Sequence, residues 1–558
     1  MGYRLKLPII LSVFLSAGSG IAYEILAATT LTDLLGSSVY HFSLVIGIYL
    51  AALGIGGWLS SRISAALFTR LILIELVLAL VGGSLAFLII GSERLVFNLF
   101  SAVVGPLGSK TLFMSFSLLL VLMIGVLVGL ELPLFSRALA AGEDLKGALG
   151  KAFFWDYCGG LVTAVSLPIF FLPSLGLLRT TFLMGLLNAC AALILIIAAG
   201  VRQKFSALIK IGFAAALAVN IGGVLTAHRW ELFFEEERYA ISGKGTEPQR
   251  VLVLRRSPYQ KIVLTRSPTG VLRLYLNGQD QFASGAPERL YHESLVHPAM
   301  ATAEQHDQIL VLGGGDGLAL REILKYPDVR KVTLVDIDEE VVELAKGLEV
   351  MRALNHASFF EPRVEVVIDD AFMFVKHFQG TRHYDVIIID FPDPTEESLA
   401  RLYSKEFYAM VRRRLHPQGV VAIQSSYFLS FYHRTIFTTV KAAGFSSVLA
   451  YHPQGAFDAV TLASMRTDLL SAFEGMVVPV PTSVMRARND VARLIVHGRA
   501  PPYRWIGVRA NTLFFPVILN SPDRFSLWRH YLKPRIKRWF RRHPGATTPP
   551  SPHGHLVT

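Results

Sequence analysis

The chain has 558 residues, of which 52% are hydrophobic and only 17% charged, and its mean hydropathy is +0.46. Cys158 and Cys190 are the only cysteines, which excludes a disulfide framework and cysteine-based metal-ligand spacing. The formal net charge of +12 invites a nucleic-acid partner, but much of it lies in one tail segment, "RFSLWRHYLKPRIKRWFRR" at 524–542.

Residues 1 to 228 contain seven apolar stretches, at 7–28, 38–60, 67–91, 111–134, 150–173, 178–200 and 205–225. Each is long enough for a hydrocarbon core about 30 Å thick, so they read as membrane spans. The short basic start "MGYRLK" precedes a long apolar run that contains Glu24 and has no convincing small-residue cleavage site, so it reads as an uncleaved first span. Lys and Arg alternate across the connections: Arg4 and Lys6 before the first stretch, Arg62 and Arg70 after the second, Arg137, Lys146 and Lys151 after the fourth, Arg202 and Lys204 after the sixth. That bias puts the N-terminus in the cytoplasm, and seven spans would then leave the following half outside. Glu24, Glu75, Glu131 and Asp156 lie inside or at the edge of spans, where ionisable groups are functional, paired with Arg, or placed near an interface. "GIGGW" at 54–58 suits close helix packing.

From about 245 the pattern changes. "QRVLVLRRSPYQKIVLTRSPTGVLRLYLNGQDQF" alternates apolar and polar residues with turn signals at "SPTG" and "NG", which predicts β-hairpins. Strands are then expected at 308–312, 331–335, 364–368, 384–389 and 419–424, with helices at 318–326, 339–349, 371–378, 404–415 and 431–443. Segments 447–452 and 459–463 could close the sheet as a hairpin. This is a doubly wound, mostly parallel α/β domain of Rossmann-like, methyltransferase-like type, whose ligands bind beyond the carboxyl ends of the strands. The expected organisation is a transmembrane domain (1–228), a β-hairpin subdomain (245–292), the Rossmann-like domain (293–470) and a C-terminal extension (471–558). In that extension, interleaved aromatic and basic residues suit anionic membrane lipids rather than nucleic acid, and the last residues read as disordered.

Acidic residues fall at four successive strand ends: Asp316 in "LVLGGGDG", Asp336 and Asp338 in "TLVDID", Asp369 and Asp370 in "VIDDAF", Asp390 and Asp393 in "IIIDFPDP". Each alone could simply cap a helix. Asp336 follows the glycine loop by about 20 residues, the usual distance for a carboxylate that holds ribose hydroxyls. Gly313 and Gly315 fit a dinucleotide fingerprint, but position 318 is Leu and no phosphate-loop Lys follows. The acids would also oppose a pyrophosphate at the helix start. A ligand with a ribose and positive charge fits: S-adenosylmethionine, or its dicationic decarboxylated form, which matches an acidic cleft better.

These residues resemble the spermidine synthases (polyamine aminopropyltransferases). Between about 257 and 425 the chain keeps that family's order of motifs: "SPYQKI", "LNGQDQ", "YHES", "VLGGGDGLALREILKYPDVRKVTLVDID", "VIDDAF", "IIIDFPDP" and "LYSKEFY". The hydrophobic N-terminal half is similar to that of membrane-fused bacterial members. The resemblance implies that Gly313, Gly314, Gly315 and Ala371 line the donor and that Asp316 holds its aminopropyl ammonium. It further implies ribose at Asp336, the adenine edge at Asp370 and nucleoside contact by Gln260. Tyr291 and His292 border the acceptor amine, Asp390 is the general base, and Asp393 holds the acceptor. No metal or other cofactor is implied beyond decarboxylated S-adenosylmethionine as co-substrate.

Departures from the family pattern touch the donor side once and the acceptor side more. Ala371 stands where Gly is usual, "DPTEESLARLYS" replaces the usual gate sequence, and "AYHPQGAFD" at 450–458 lacks a clear match to the usual Tyr. The expected activity is a membrane-bound synthesis of spermidine from putrescine. The alternatives are a different amine acceptor, methyl transfer from intact S-adenosylmethionine, or a polyamine transporter or sensor that uses the second half for binding. A cell-membrane location is expected, with the catalytic half in the cytoplasm where the donor is made, despite the Lys/Arg parity. The resemblance also implies a homo-oligomer.

Overall fold

The structure, a computed structural model, describes residues 6–35, 38–141, 144–199, 207–242, 249–377, 383–394, 397–427, 431–452, 458–483, 510–513 and 518. The basic segment 524–542 and the terminal residues expected to be disordered lie outside them. The chain forms two compact units, one of residues 1–242 with 248–263, the other of 243–247 with 264–558.

The first unit is helical. Among the described residues, six helices are long and apolar enough to cross a membrane: Lys6–Leu35, Tyr40–Ser60, Gly108–Ala140, Leu145–Leu175, Leu177–Ala199 and Ala207–Tyr239. The stretch at 67–91 falls on a pair, Leu67–Gly82 and Leu85–Ser101, bent by 47°. The last helix runs on to Ser242, well past the final apolar stretch, because "HRWELFFEEER" keeps the helix while becoming amphipathic. Gly56 sits where a Cβ would lie 2.2 Å from the carbonyl oxygen of Val126, so a glycine there lets two helix backbones touch. Glu75 and Glu131 are buried, and they interact with each other and with neutral side chains rather than with Arg. Asn188 Nδ2 donates to Glu75 Oε2 at 2.7 Å, and the Ser16 hydroxyl donates to Glu131. A π-helical turn, Leu78–Gly82, begins three residues after Glu75. Cys158 and Cys190 are both free.

Strands β1 (Arg250–Arg256), β2 (Lys261–Arg266), β3 (Leu272–Leu276) and β4 (Gln279–Ala283) form a sheet in that order. The β3–β4 turn places Asn277 and Gly278 at φ 49° and 77°, the left-handed pair that Asn-Gly hairpins adopt. The second sheet has seven strands in the order β10-β11-β9-β8-β5-β6-β7. They are β5 (Gln308–Gly313), β6 (Lys331–Asp336), β7 (Val364–Ile368), β8 (Tyr384–Asp390), β9 (Leu415–Tyr427), β10 (Ser447–Tyr451) and β11 (Asp458–Ser464). β5 through β9 are parallel neighbours, while β11 runs antiparallel to β9 and β10.

Continuous apolar runs explain the centre of this sheet. "ILVL" of β5 and "VIII" of β8 are buried, as expected for parallel strands covered on both faces. Leu310, Leu312, Ile387, Ile389, Val421 and Ile423 join one core with Tyr403 and Phe407. Flanking helices are locally specified: Ser404 Oγ accepts from Phe407 N at 3.2 Å, and Arg412, Arg413 and Arg414 sit in that helix's last turn. Three expected elements differ in extent. The helix expected over 339–349 breaks at Leu348, which is extended (φ −82°, ψ 125°). The helix from Leu318 ends at Ile323, and β9 is longer at both ends than the apolar run that marked it. The chain steps outward from β5 through β6 to β7, then returns to place β8 against the other side of β5. Ligands of such sheets bind at the strand ends beside this reversal.

Candidate active site

The glycine loop leaves β5 at the reversal. Gly313 pairs with Asp390 across the β5–β8 ladder. Its φ is +82°, and a Cβ there would lie 2.2 Å from the Asp390 carbonyl oxygen, so both backbone and space demand glycine. Gly315 N donates to Asp336 Oδ2 at 2.9 Å, and a Cβ on Gly315 would meet that same oxygen at 2.6 Å. Asp336 Oδ1 accepts from Asp338 N at 2.9 Å. One carboxylate thus fixes the glycine loop and the end of β6 while keeping lone pairs for a ligand. Asp316 Oδ1 accepts from Leu318 N at 2.9 Å, which leaves its second oxygen uncommitted.

At the end of β7, Asp370 Oδ1 caps the helix Ala371–His377 by accepting from Phe372 N (2.8 Å) and Met373 N (3.2 Å). Asp370 Oδ2 is bonded by Arg401, a residue singled out by nothing in the sequence. Ala371 is buried at the start of the same helix. Gln260 lies in the first unit, in the turn between β1 and β2, where its N–H donates to Ser257 Oγ at 3.0 Å. The other sequence-predicted site residues all belong to the second unit.

On the opposite side of the glycine loop, Asp390 ends β8. The Tyr291 hydroxyl donates to Asp390 Oδ1 at 2.5 Å, and His292 Nε2 lies 3.9 Å from Asp390 Oδ2. Both come from the helix Ala286–Thr302. The His292 Nδ1 side faces Glu288 Oε1 at 2.9 Å, and Glu288 is held in turn by Arg321 at 2.7 Å. Asp393 receives two side-chain bonds from β9, from Gln424 Nε2 (3.0 Å) and Ser426 Oγ (3.1 Å). Ser426 adopts φ +61°, a strained value for a non-glycine residue, in the strand segment that aims its hydroxyl at Asp393.

Electrostatics follow from this crowding. Burial pushes Asp316 up to about 6, with His292 pulling it down and Asp390 pushing it further up. Burial also pushes Asp336 up to about 6, opposed by the backbone N–H groups of Asp338 and Gly315. Burial alone would lower the His292 imidazole, but Glu288, Asp316 and Asp390 carry it up to about 9. His292 is therefore an imidazolium at neutral pH, between the two carboxylates. Asp393 is raised by burial against its two hydrogen bonds. Among the described residues no group of three or more His, Cys, Asp or Glu side chains could hold a metal ion.

A family model described as a spermine/spermidine synthase domain matches residues 288–453, the segment that carries this site. A polyamine aminopropyltransferase of Leptospira interrogans is 36% identical over 416 residues, covering 75% of this chain and 78% of that protein. One from Oceanobacillus iheyensis is 37% identical, covering 73% of this chain and 75% of that protein. The chain belongs to the polyamine aminopropyltransferase family. A third relative, polyamine aminopropyltransferase 2 of Ralstonia nicotianae, is 38% identical over 452 residues, covering 78% of this chain and 82% of that protein. That match is longer than the chain after Ser242, so the likeness extends into the helical unit. As a polyamine aminopropyltransferase the chain is an enzyme. Sequence reasoning missed Arg401, Gln424 and Ser426, the side-chain partners of Asp370 and Asp393. Each is placed there by tertiary packing rather than by a local motif.

Proposed function

We propose that the chain transfers the aminopropyl group of decarboxylated S-adenosylmethionine to putrescine, giving spermidine and methylthioadenosine. The carboxylate inside the glycine loop carries this reading. Asp316 has one oxygen tied to Leu318 N and the other uncommitted, which suits an ammonium and repels the carboxylate of intact S-adenosylmethionine. Asp336 is the ribose acceptor and Asp370 the adenine contact. In the reaction a neutral amine nitrogen attacks the methylene next to sulfur. The new C–N bond forms as the C–S bond breaks, and its electron pair leaves on sulfur as a neutral thioether. The proton from nitrogen goes to Asp390. Tyr291 occupies Asp390 Oδ1, so Oδ2 is the oxygen that accepts it. Alignment of amine, carbon and sulfur supplies much of the remaining acceleration. Mass spectrometry of products from putrescine offered with either donor tests the proposal. Spermidine and methylthioadenosine in equal amounts from the decarboxylated donor support it; a methylated amine from S-adenosylmethionine overturns it.

The helical unit we place in the cell membrane as a multi-pass anchor. Its outer surface carries apolar side chains such as Phe154, Ile169 and Leu225, 60%, 73% and 75% exposed, which lipid would cover. Thr30, Asp33, Glu93, Arg179 and Glu235 line one cavity at the same end of this unit. At another site, Arg137 donates to Ser60 O and Ile63 O. Helix ends meeting in these two groups favour the bent pair as a full crossing, giving seven, with residues 6 and 242 on opposite faces. Because the donor is made in the cytoplasm, we place the catalytic unit there and the N-terminus outside. The Lys/Arg bias argues for the reverse orientation, so reporter fusions at both ends decide it: an outward-facing C-terminal reporter would overturn the placement.

A further inference from the structure

Asp316 and Asp390 have different tasks in the proposed reaction, and both tasks need the ionised form. Asp316 must be a carboxylate to hold the donor's ammonium, and Asp390 to take a proton from the acceptor. Yet Asp390 acts on Asp316 across the glycine loop and raises its carboxyl. Two buried carboxylates that feel each other's charge tend to keep one proton between them. One of the two tasks would then be lost.

His292 opposes this. Its Nε2 lies 3.9 Å from Asp390 Oδ2, and its charge acts on Asp316 as well. The surroundings of Nδ1 settle its protonation. Nδ1 is 2.9 Å from Glu288 Oε1 and 3.0 Å from the Glu288 carbonyl oxygen. Both are acceptors, so Nδ1 carries a hydrogen. A neutral ring would then turn the bare lone pair of Nε2 toward the Asp390 carboxylate. A second hydrogen, on Nε2, removes that repulsion and makes the ring a cation.

Glu288 lies one helical turn before His292, and both are 2% exposed. Arg321, on the helix Leu318–Ile323 that follows the glycine loop, holds the Glu288 carboxylate with Nη2 at 2.7 Å from Oε1 and Nη1 at 3.4 Å from Oε2. Arg321 is itself fixed by Leu354 O at 2.9 Å and Glu322 Oε1 at 2.8 Å. The charges acting on His292 are thus Glu288 on its own helix, Asp316 on the glycine loop and Asp390 on β8. The Tyr291 ring packs edge-on against the imidazole, and Asp458 on β11 feels Asp390.

Resting on the proposed roles of Asp316 and Asp390, we propose that Glu288 is a positioning residue for the transfer reaction. Clamped by Arg321, it keeps His292 charged and aimed, so that Asp316 and Asp390 are ionised at the same time. Donor binding and proton acceptance then do not compete for one proton.

The test uses the full-length protein and Glu288→Gln, which keeps the shape and a hydrogen-bond acceptor but removes the charge. Calorimetry gives the affinities of decarboxylated S-adenosylmethionine and methylthioadenosine between pH 5 and 9. In the unmodified protein the donor's advantage over methylthioadenosine should disappear as pH falls through about 6, where Asp316 gains a proton. In Glu288→Gln the imidazole loses its charge at lower pH, nothing then offsets Asp390 at Asp316, and that midpoint should rise by about one pH unit. The methylthioadenosine profile should not move, since that ligand has no ammonium. Glu288→Asp should return the midpoint toward its original value. A residue that only supports the fold would weaken both ligands at every pH and leave the midpoint in place. An unmoved midpoint, or a methylthioadenosine profile that moves with it, overturns the proposal. Should Glu288→Gln not fold, His292→Gln removes the cation itself and must show the same rise, or the proposal fails. If the unmodified protein shows no donor advantage at pH 8, the donor reading fails instead. The ring titration of His292, followed by NMR and assigned by its loss in His292→Gln, then still decides. A ring that stays charged up to about pH 9 in Glu288→Gln, as in the unmodified protein, overturns the role of Glu288.

Discussion

The proposed donor and acceptor sides of the second unit hold their carboxylates in different ways. Asp316, Asp336 and Asp370 each accept backbone N–H bonds from residues of their own turn or the adjacent loop. Asp390 and Asp393 are held by side chains brought from elsewhere: Tyr291 from one helix, Gln424 and Ser426 from a neighbouring strand. A backbone-held acid keeps its position as long as the turn folds, which suits an invariant ligand such as a nucleoside. A side-chain-held acid can be re-aimed by single substitutions, which suits the half of the site that chooses the amine. The contrast also orders the expected effects of substitution.

The largest effect should come where the two sides meet. Asp390→Asn should reduce turnover by roughly 10²–10⁴-fold, the range for loss of a general base, while donor affinity stays close to normal. Stopped assays of methylthioadenosine release measure the first and calorimetry the second. Near-normal turnover would remove Asp390 from the mechanism.

Next is the pH dependence of the donor side. Asp316 binds an ammonium only when ionised, and Asp336 accepts ribose hydroxyls best when ionised; burial raises both to about 6. Donor affinity should therefore be level above pH 7 and fall progressively as pH drops through 6. A titration of donor affinity against pH checks this, and a flat profile down to pH 5 would contradict the placement of those two acids in the donor site. His292 titrates in the other direction. Raised to about 9 from its ordinary 6.5, its charge stabilises the fold fully below pH 6.5, and that contribution disappears as pH rises through 9.

On the acceptor side, Gln424→Ala and Ser426→Ala should each raise the acceptor KM by roughly three- to tenfold, because each removes one hydrogen bond worth about 1 kcal/mol. Donor KM should not move. An equal rise in both KM values would mean that the substitutions disturb the sheet rather than re-aim Asp393. The smallest effect is expected at Arg401. Its pair with Asp370 is 41% exposed on the arginine side, and exposed pairs contribute about 0–1 kcal/mol. Arg401→Ala should change donor KM by no more than about fivefold, and a larger change would make Arg401 a direct donor contact.

The same contrast explains how much of the molecule could be read from residues alone. The strand pattern was legible because β5 and β8 are uninterrupted apolar runs and because "NG" and "GGGDG" are local backbone signals. Asp316, Asp336 and Asp370 were legible for the same reason, since each lies within a few residues of the N–H that positions it or at a fixed distance from the glycine loop. Leu348, which breaks an expected helix, carries no local signal, because a leucine fits a helix as well as it fits an extended link. Asp458 has no role legible in the sequence, because Asp390 and Asp393, whose charges act on it, are more than sixty residues away in the chain. Arg401 and Ser426 were illegible on the same ground. The neutral partners of Glu75 and Glu131 were hidden too, since Ser and Asn at helix spacing do not reveal which neighbouring helix they face.

The central claim is that the glycine loop holds a cation through Asp316. Calorimetric titration of Asp316→Asn with decarboxylated S-adenosylmethionine and with methylthioadenosine tests it most directly, since the two ligands share adenine and ribose and only the first has the ammonium. Loss of a charge-assisted bond, roughly 1.5–3 kcal/mol, predicts about a ten- to hundredfold weaker donor with methylthioadenosine nearly unchanged. Equal weakening of the two ligands would contradict it and leave Asp316 as a residue that only shapes the loop.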